Sequence, residues 1–186
     1  KQLWSLVHVE NPTMSVHARH YRGPALLRSA TGPDAEALMS WFADRDACKL
    51  WGGPAFRHPF TPASFTEDMR FASLAGYALT DVDDTLLGFG QIYPKLQRIH
   101  LARLAIRPDR RGTGLGKRLI GEIIKAGQTL FSLRDSSLFV YRRNTAARHC
   151  YSRMGFVDAA WPDRDRLLPD CQFMIRIKAV TAQDPE

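Results

Sequence analysis

The sequence predicts an α+β fold: a mixed, largely antiparallel sheet flanked by helices. Three observations carry this expectation. Two strand patterns, Tyr77–Thr80 and Leu86–Tyr93, flank the turn Asp81-Val82-Asp83-Asp84, as in an antiparallel hairpin. A third strand pattern, Ile99–Ile106, leads through a glycine-rich loop into an amphipathic helix. Helical stripes stand on both sides of this block, giving the order β-α-α-β-β-β-α-β-α-β-β.

Each element has a local reason. Ala25–Ala30 reads as a short strand. Pro33 sits at a first helical position with Asp34 and Glu36 in the first turn, and Ala35, Leu38, Met39 and Phe42 form one stripe. Cys48–Pro62, rich in Gly, Pro and aromatics, reads as a loop. Thr61 and Pro62 then start a second helix, with Phe65, Met69 and Ala72 facing inward. After Ile106, Pro108 and Asp109 end the strand. Leu115, Leu119, Ile120, Ile123 and Ile124 form an apolar face, Lys117, Arg118, Glu122 and Lys125 a polar one, and Gly127 is the expected stop. Leu138–Tyr141 reads as a buried strand, Asn144 as the N-cap of a helix with Ala147, Cys150, Tyr151 and Met154 on one face, and Gly155 as its C-cap. Phe156 starts a strand, and Cys171–Ile177 is the last one.

The chain has 186 residues, 45% hydrophobic and 24% charged, the balance of one soluble domain. The boundaries expected are an N-terminal arm over 1–24, a domain over 25–178 and a tail over 179–186. Met14 is a candidate natural start, with residues 1–13 then either added or read from upstream; the arm is expected to be ordered against the domain. No apolar run is long enough to span a membrane and no secretory leader is recognisable, so a cytoplasmic protein with no membrane partner is expected. Cys48, Cys150 and Cys171 are too far apart for a C-x-x-C pair and read as reduced thiols, and no metal is expected. The net charge is +7, from 26 basic and 19 acidic residues. Basic residues cluster over Arg103–Arg118 and at Arg142, Arg143 and Arg148, around the glycine loop and the segment after it. That favours a local anion over a long polyanion, and no nucleic-acid motif is recognisable.

The loop Arg111-Gly112-Thr113-Gly114-Leu115-Gly116 between strand and helix is an anion site in outline. Glycines allow close approach, and the unpaired amides and dipole of a helix start favour phosphate. A Walker A loop fails on spacing, because Gly112 to Gly116-Lys117 is one residue short and Arg118 replaces the hydroxyl. A Rossmann fingerprint fails too: the glycines are spaced G-x-G-x-G and the next strand ends in Tyr141-Arg142-Arg143, with no carboxylate for a ribose.

The run Leu104–Gly116 instead resembles motif A of the GNAT family of N-acetyltransferases. That family carries Gln/Arg-x-x-Gly-x-Gly/Ala here, matched by Arg111, Gly114 and Gly116. Its second signature, Asn-x-x-Ala, then Tyr, then Gly-Phe, is matched by Asn144, Ala147, Tyr151, Gly155 and Phe156. The resemblance covers about Ala25–Lys178 and implies the acyl-CoA N-acyltransferase fold with acetyl-CoA (coenzyme A) as co-substrate. It implies that the amides of Gly112, Thr113, Gly114, Leu115 and Gly116, with Arg111 and Lys117, cradle the pyrophosphate. The backbone of Leu104, Ala105 and Ile106 pairs with the pantetheine arm, in a slot made by this strand splaying from the next. The amide near Ile106 polarises the thioester, and Asn144 serves the pantetheine side.

Tyr151 matches the family's usual proton donor to the departing thiolate; its plainer role is a core aromatic on the Ala147–Met154 stripe. No carboxylate lies between Asp84 and Asp109 to act as base. His100 is the titratable residue there, and His100-Leu101-Ala102 looks like the His-x-His strand of the arylalkylamine branch with its second histidine lost. Alternation puts His100 on the face of Leu104 and Ile106, and an unperturbed imidazole, pKa ~6.5, suits a base. A strand-edge histidine at solvent is the other reading. His58 is a weaker candidate, and Glu67 and Asp68 are either an ammonium site or an exposed helix face. His149 and Cys150 point apart on their helix, while His8, His17 and His20 read as solvent-exposed. Trp51, Phe56 and Phe60 are pocket walls or plugs under the loop.

The implied function is acetyl transfer by direct attack of a primary amine, from a small molecule or a peptide N-terminus, with Tyr151 as acid and His100 or water as base. The alternative is a non-catalytic acyl-CoA-binding or regulatory domain on the same fold. Trp51-Gly52-Gly53 is faintly similar to aminoglycoside and ribosomal-protein acetyltransferases, but a basic enzyme is a poor match for a polycation. A monomer or homodimer is expected.

Overall fold

The computed structural model describes residues 20–162 and 169–178. Most of the arm, including Met14, His8 and His17, and the tail beyond Lys178 lie outside the described residues. The sheet has seven strands: β1 (Leu26–Ser29), β2 (Ala75–Thr80), β3 (Leu86–Lys95), β4 (Arg98–Ile106), β5 (Ser136–Tyr141), β6 (Val157–Ala159) and β7 (Cys171–Arg176). Their order is β1-β2-β3-β4-β5-β7-β6. Every neighbouring pair is antiparallel except β4–β5. The helices are α1 (Gly32–Met39), α2 (Arg45–Gly52), α3 (Pro62–Met69), α4 (Leu115–Phe131) and α5 (Thr145–Arg153). The α+β expectation holds.

Two apolar clusters cover the sheet. One gathers Leu115, Leu119, Ile120, Ile123 and Ile124 of α4 against Ile92, Ile99 and Leu101, with Tyr151 of α5 at its margin. The other packs Leu38, Phe56, Phe65 and Met69 of the α1–α3 layer against Ala78 and Phe89. Full burial of each large side chain is worth about 1.5–3 kcal/mol, so the α4 stripe legible in sequence is what seats that helix.

Three local expectations are corrected. The segment expected as loop from Cys48 overlaps α2, whose N-cap Asp44 accepts the Ala47 N–H at 2.8 Å and whose end is set by Gly53 at φ 86°. Only Cys48 of this helix is fully buried, with Trp51 packed beside it, so its apolar stripe is too short to stand out from the surrounding aromatic and glycine residues. Ala72 follows α3 and is exposed. Gly127 does not end α4: it is buried inside it, where a Cβ would lie 2.6 Å from Ile99 Cγ2. The helix runs on to the left-handed Ser132 at φ 55°.

The most consequential departure lies within β4. Gln91 pairs with Ala102 but Phe89 pairs with Ala105, so Gly90 faces two residues. This is a β-bulge, with Arg103 at φ 51°. An extra residue reverses side-chain parity. Ile99 and Leu101 before the bulge face α4, and so do Leu104 and Ile106 after it. His100 therefore lies on the opposite face from Leu104 and Ile106, against Tyr93 and Phe139 at 4.9 and 5.3 Å.

Candidate functional site

β4 and β5 pair only at Ile99–Ser136, His100–Ser137 and Leu101–Leu138. Beyond these residues they part, and a cleft of about 830 Å³ opens between them. Its walls include Leu104, Ala105 and Ile106 from β4, Leu138–Tyr141 from β5, and Asn144, Ala147 and Tyr151 from the start and body of α5. Parallel strands this short on pairing leave backbone groups of β4 without a strand partner on the β5 side, which an extended ligand is suited to fill.

The glycine loop closes one end. A 3-10 turn, Pro108–Arg110, follows β4, with Gly112 at φ 75° and Gly114 at φ 91°. Gly114 caps α4, and nothing lies within 4 Å of where its Cβ would be. The first-turn amides of Leu115 and Gly116 have no intrahelical acceptor. Thr113 is pinned by its hydroxyl, which donates to Arg110 O at 2.6 Å. Arg111 Nε donates to Ile106 O at 3.2 Å, while Arg111 and Lys117 are exposed with no carboxylate partner among the described residues. Arg107 is engaged by Asp109 at 2.8 Å, and Arg118 holds the carbonyls of Gly23 and Ala25 at 3.2 and 2.7 Å. The open loop, the free first-turn amides, Arg111 and Lys117 thus lie within seven consecutive residues, and Arg111 reaches the cleft wall.

Asn144 caps α5, its Oδ1 accepting the Ala147 N–H at 3.3 Å. Tyr151 lines the cleft with its ring near Phe156, and its hydroxyl makes no hydrogen bond to another described residue. Burial, reinforced by neighbouring Cys150, raises its phenol well above the ordinary value, so it keeps its proton at neutral pH.

His100 differs from both readings of the sequence. It is 2% exposed, not at solvent. Its Nδ1 shares a hydrogen bond of 2.9 Å with Ser137 Oγ. Burial, with Lys95 adding a smaller effect, pushes its pKa down to about 3, far from an unperturbed imidazole. Lys95 is itself held over the rings of Trp161 and Phe139 at 4.7 and 5.1 Å. His100 touches the cleft as a neutral ring.

The aromatic segment divides its roles. Trp51 lines the cleft, stacks on Phe42 at 4.3 Å, and donates Nε1–H to Arg103 O at 2.7 Å. Phe56 is a buried plug and Phe60 packs behind it. Glu67 and Asp68 are engaged by Arg57 at 2.7 and 2.9 Å, which accounts for both. No group of three or more metal-ligating side chains occurs among the described residues, and no described helix is long and apolar enough to cross a membrane. Sequence reading missed Arg70, Tyr93 and Arg103, which also line the cleft. An arginine in the middle of the Ile99–Ile106 strand, where only His100 is also polar, was the available signal.

Comparison with known proteins agrees with this architecture. A family model described as "Acetyltransferase (GNAT) family" matches residues 36–156. A spermidine N-acetyltransferase from Vibrio cholerae, solved with CoA and spermine, superposes with a TM-score of 0.64 at 18% identity. That match covers 82% of this chain and 95% of the other. A dodecameric structure of spermidine N-acetyltransferase from the same organism gives 0.59 at 17% identity, covering 82% and 93%. With the family model spanning β2 to β5, the glycine loop and α5, the chain belongs to the GNAT family and is an N-acetyltransferase.

Proposed function

We propose that the protein moves an acetyl group from acetyl-CoA to a primary amine of a small molecule or peptide N-terminus by direct attack in the β4–β5 cleft. The observation that carries this reading is the parting of β4 from β5, with Arg111 of the glycine loop and Tyr151 of α5 in the walls of the cleft between them. The amides of Gly112–Gly116, with Arg111 and Lys117, hold the pyrophosphate. The open edge at Leu104, Ala105 and Ile106 aligns the pantetheine arm, with the Ile106 region turning an amide to the thioester oxygen. Asn144 fixes the start of α5 and so the position of Tyr151. The amine nitrogen forms a bond to the acetyl carbon as the carbon–sulfur bond breaks. Tyr151 gives its proton to the departing thiolate and regains one from solvent. His100, held neutral down to about pH 3, is too weak a base to take the amine proton at neutral pH, so that proton leaves through water.

Thiol release from acetyl-CoA is expected only when an amine is also present. Gly114→Glu forces a non-glycine residue to φ 91° and puts a carboxylate into the open space where phosphate is to sit. It should weaken acetyl-CoA binding at least ~100-fold by calorimetry, from loss of charge-assisted contacts and like-charge repulsion. Unchanged affinity would sink the loop assignment.

A further inference from the structure

Among the described residues the cleft is lined by three guanidinium groups, Arg70, Arg103 and Arg111, and by no carboxylate. Arg111 belongs to the glycine loop, whereas Arg70 and Arg103 stand apart from it, by the end of α3 and the bulge of β4. Arg103 is half-buried and carries only neutral partners: Nη1 donates to Gln91 Oε1 at 2.7 Å and Met69 O at 3.2 Å. Its Nε and Nη2 have no acceptor among the described residues, and the group lies 5.5 Å over the Phe56 ring. Arg70 caps α3 at φ 53°, is exposed, and makes no ion pair among the described residues. The nearby carboxylates of Asp68 and Glu67 are held by Arg57.

Asp68, held by Arg57, acts on Arg103 only at longer range, and no described carboxylate bonds it; keeping a half-buried guanidinium without such a partner is costly, and so is an arginine in the left-handed region. The fold nonetheless holds Arg103 there from two sides. Trp51 fixes its carbonyl, and Gln91 and Met69 orient one nitrogen, leaving the rest of the fork free. A planar fork with free donors matches a carboxylate or phosphate group.

We propose that the acceptor is a small primary amine that also bears an oxyanion, carboxylate or phosphate, received by Arg103 and Arg70. This rests on the reading of the cleft as the acetyl-transfer site and narrows its substrate class. It separates this chain from neighbours solved as spermidine N-acetyltransferases: a polyamine entering here meets two cations and, among the described residues, no carboxylate. The same two cations depress the pKa of a bound ammonium, so the amine sheds its proton to water without a protein base.

The test uses L-glutamate, O-phosphoethanolamine and spermidine as probes. Binding to the enzyme with CoA present is measured by calorimetry, and thiol release from acetyl-CoA is measured separately with the same amines. At least one anionic amine is expected to bind 10-fold or more tighter than spermidine, and the two arms separate carboxylate from phosphate recognition. Arg70→Glu, at an exposed position, should weaken that binding ~10- to 100-fold and favour spermidine, the range set by charge-assisted hydrogen bonds. Arg103→Gln should act similarly, with partial rescue in Arg103→Lys, which keeps the charge but loses the fork. Spermidine binding tighter than both anions, or a preference unmoved by Arg70→Glu, overturns the proposal. Arginine-dependent anion binding without thiol release from any probe sustains the anion site and counts against acetyl transfer there.

Discussion

Tyr151 and His100 both line the cleft, and burial moves their pKa values in opposite directions. In each case the neutral form wins, because desolvation penalises charge of either sign. For Tyr151 that preserves a proton to give. Tyr151→Phe is expected to lower kcat ~100-fold, the usual scale for a positioned acid, with acetyl-CoA affinity unchanged; full activity in the variant would refute the role. For His100 the consequence is in stability. Its folded pKa of about 3 lies below the unfolded value, so between pH ~6.5 and 3 the unfolded chain binds more protons and stability falls as pH falls. Denaturant melts should show a slope contribution of up to ~1.4 kcal/mol per pH unit in that window, absent in His100→Leu. The family resemblance named both residues, but a pKa depends on what folds over the ring.

At the scale of elements, close approach decides what a glycine is for. Gly127→Ala improves helix propensity by up to ~1 kcal/mol, yet its Cβ meets the fully buried Ile99 at 2.6 Å. Overpacking of this kind costs about 1–3 kcal/mol, so a net loss of stability is expected by chemical denaturation; a gain would show that α4 can lift off the sheet freely. Helix starts were legible because caps are local: Thr61-Pro62 and Asn144 act where they were read. So was the stripe of α4, because apolar periodicity records which side is buried. α2 was hidden because it fully buries only Cys48. The bulge was hidden for another reason. Alternation assigns faces by counting residues, and nothing in His100–Ile106 says that one of them will not be counted. The glycine loop and the Tyr151 motif were readable, whereas Arg70 and Arg103 join the cleft only through α3 and that bulge.

Across the whole molecule, one arginine ties separate parts together. Arg28 on β1 reaches Asp34 of α1 at 2.7 Å and Asp84 of the β2–β3 turn at 2.7 Å. Burial opposes ionisation of Asp34, but hydrogen bonds from Arg28 and Thr31 override it and hold the carboxyl below the usual range. Asp34→Ala should therefore destabilise by about 2 kcal/mol at neutral pH, less than a fully buried pair because Arg28 is partly solvated. Its folded pKa is depressed, so this contribution is complete above about pH 4 and is lost as pH falls through the lower folded value, where the gap to wild type should narrow. Asp84→Ala, in solvent, should change the thermal midpoint far less.

The bonds of Arg118 to Gly23 and Ala25 have a companion: the Tyr21 N–H donates to Thr113 O at 2.9 Å. The segment before β1 is thus fastened to the loop read as the phosphate cradle. By linkage, a ligand that rigidifies the loop must raise the free energy of opening that fastening. The Tyr21 amide then serves as a built-in reporter, its hydrogen exchange slowing on addition of CoA and quickening in Arg118→Ala, although neither residue is asked to touch the nucleotide.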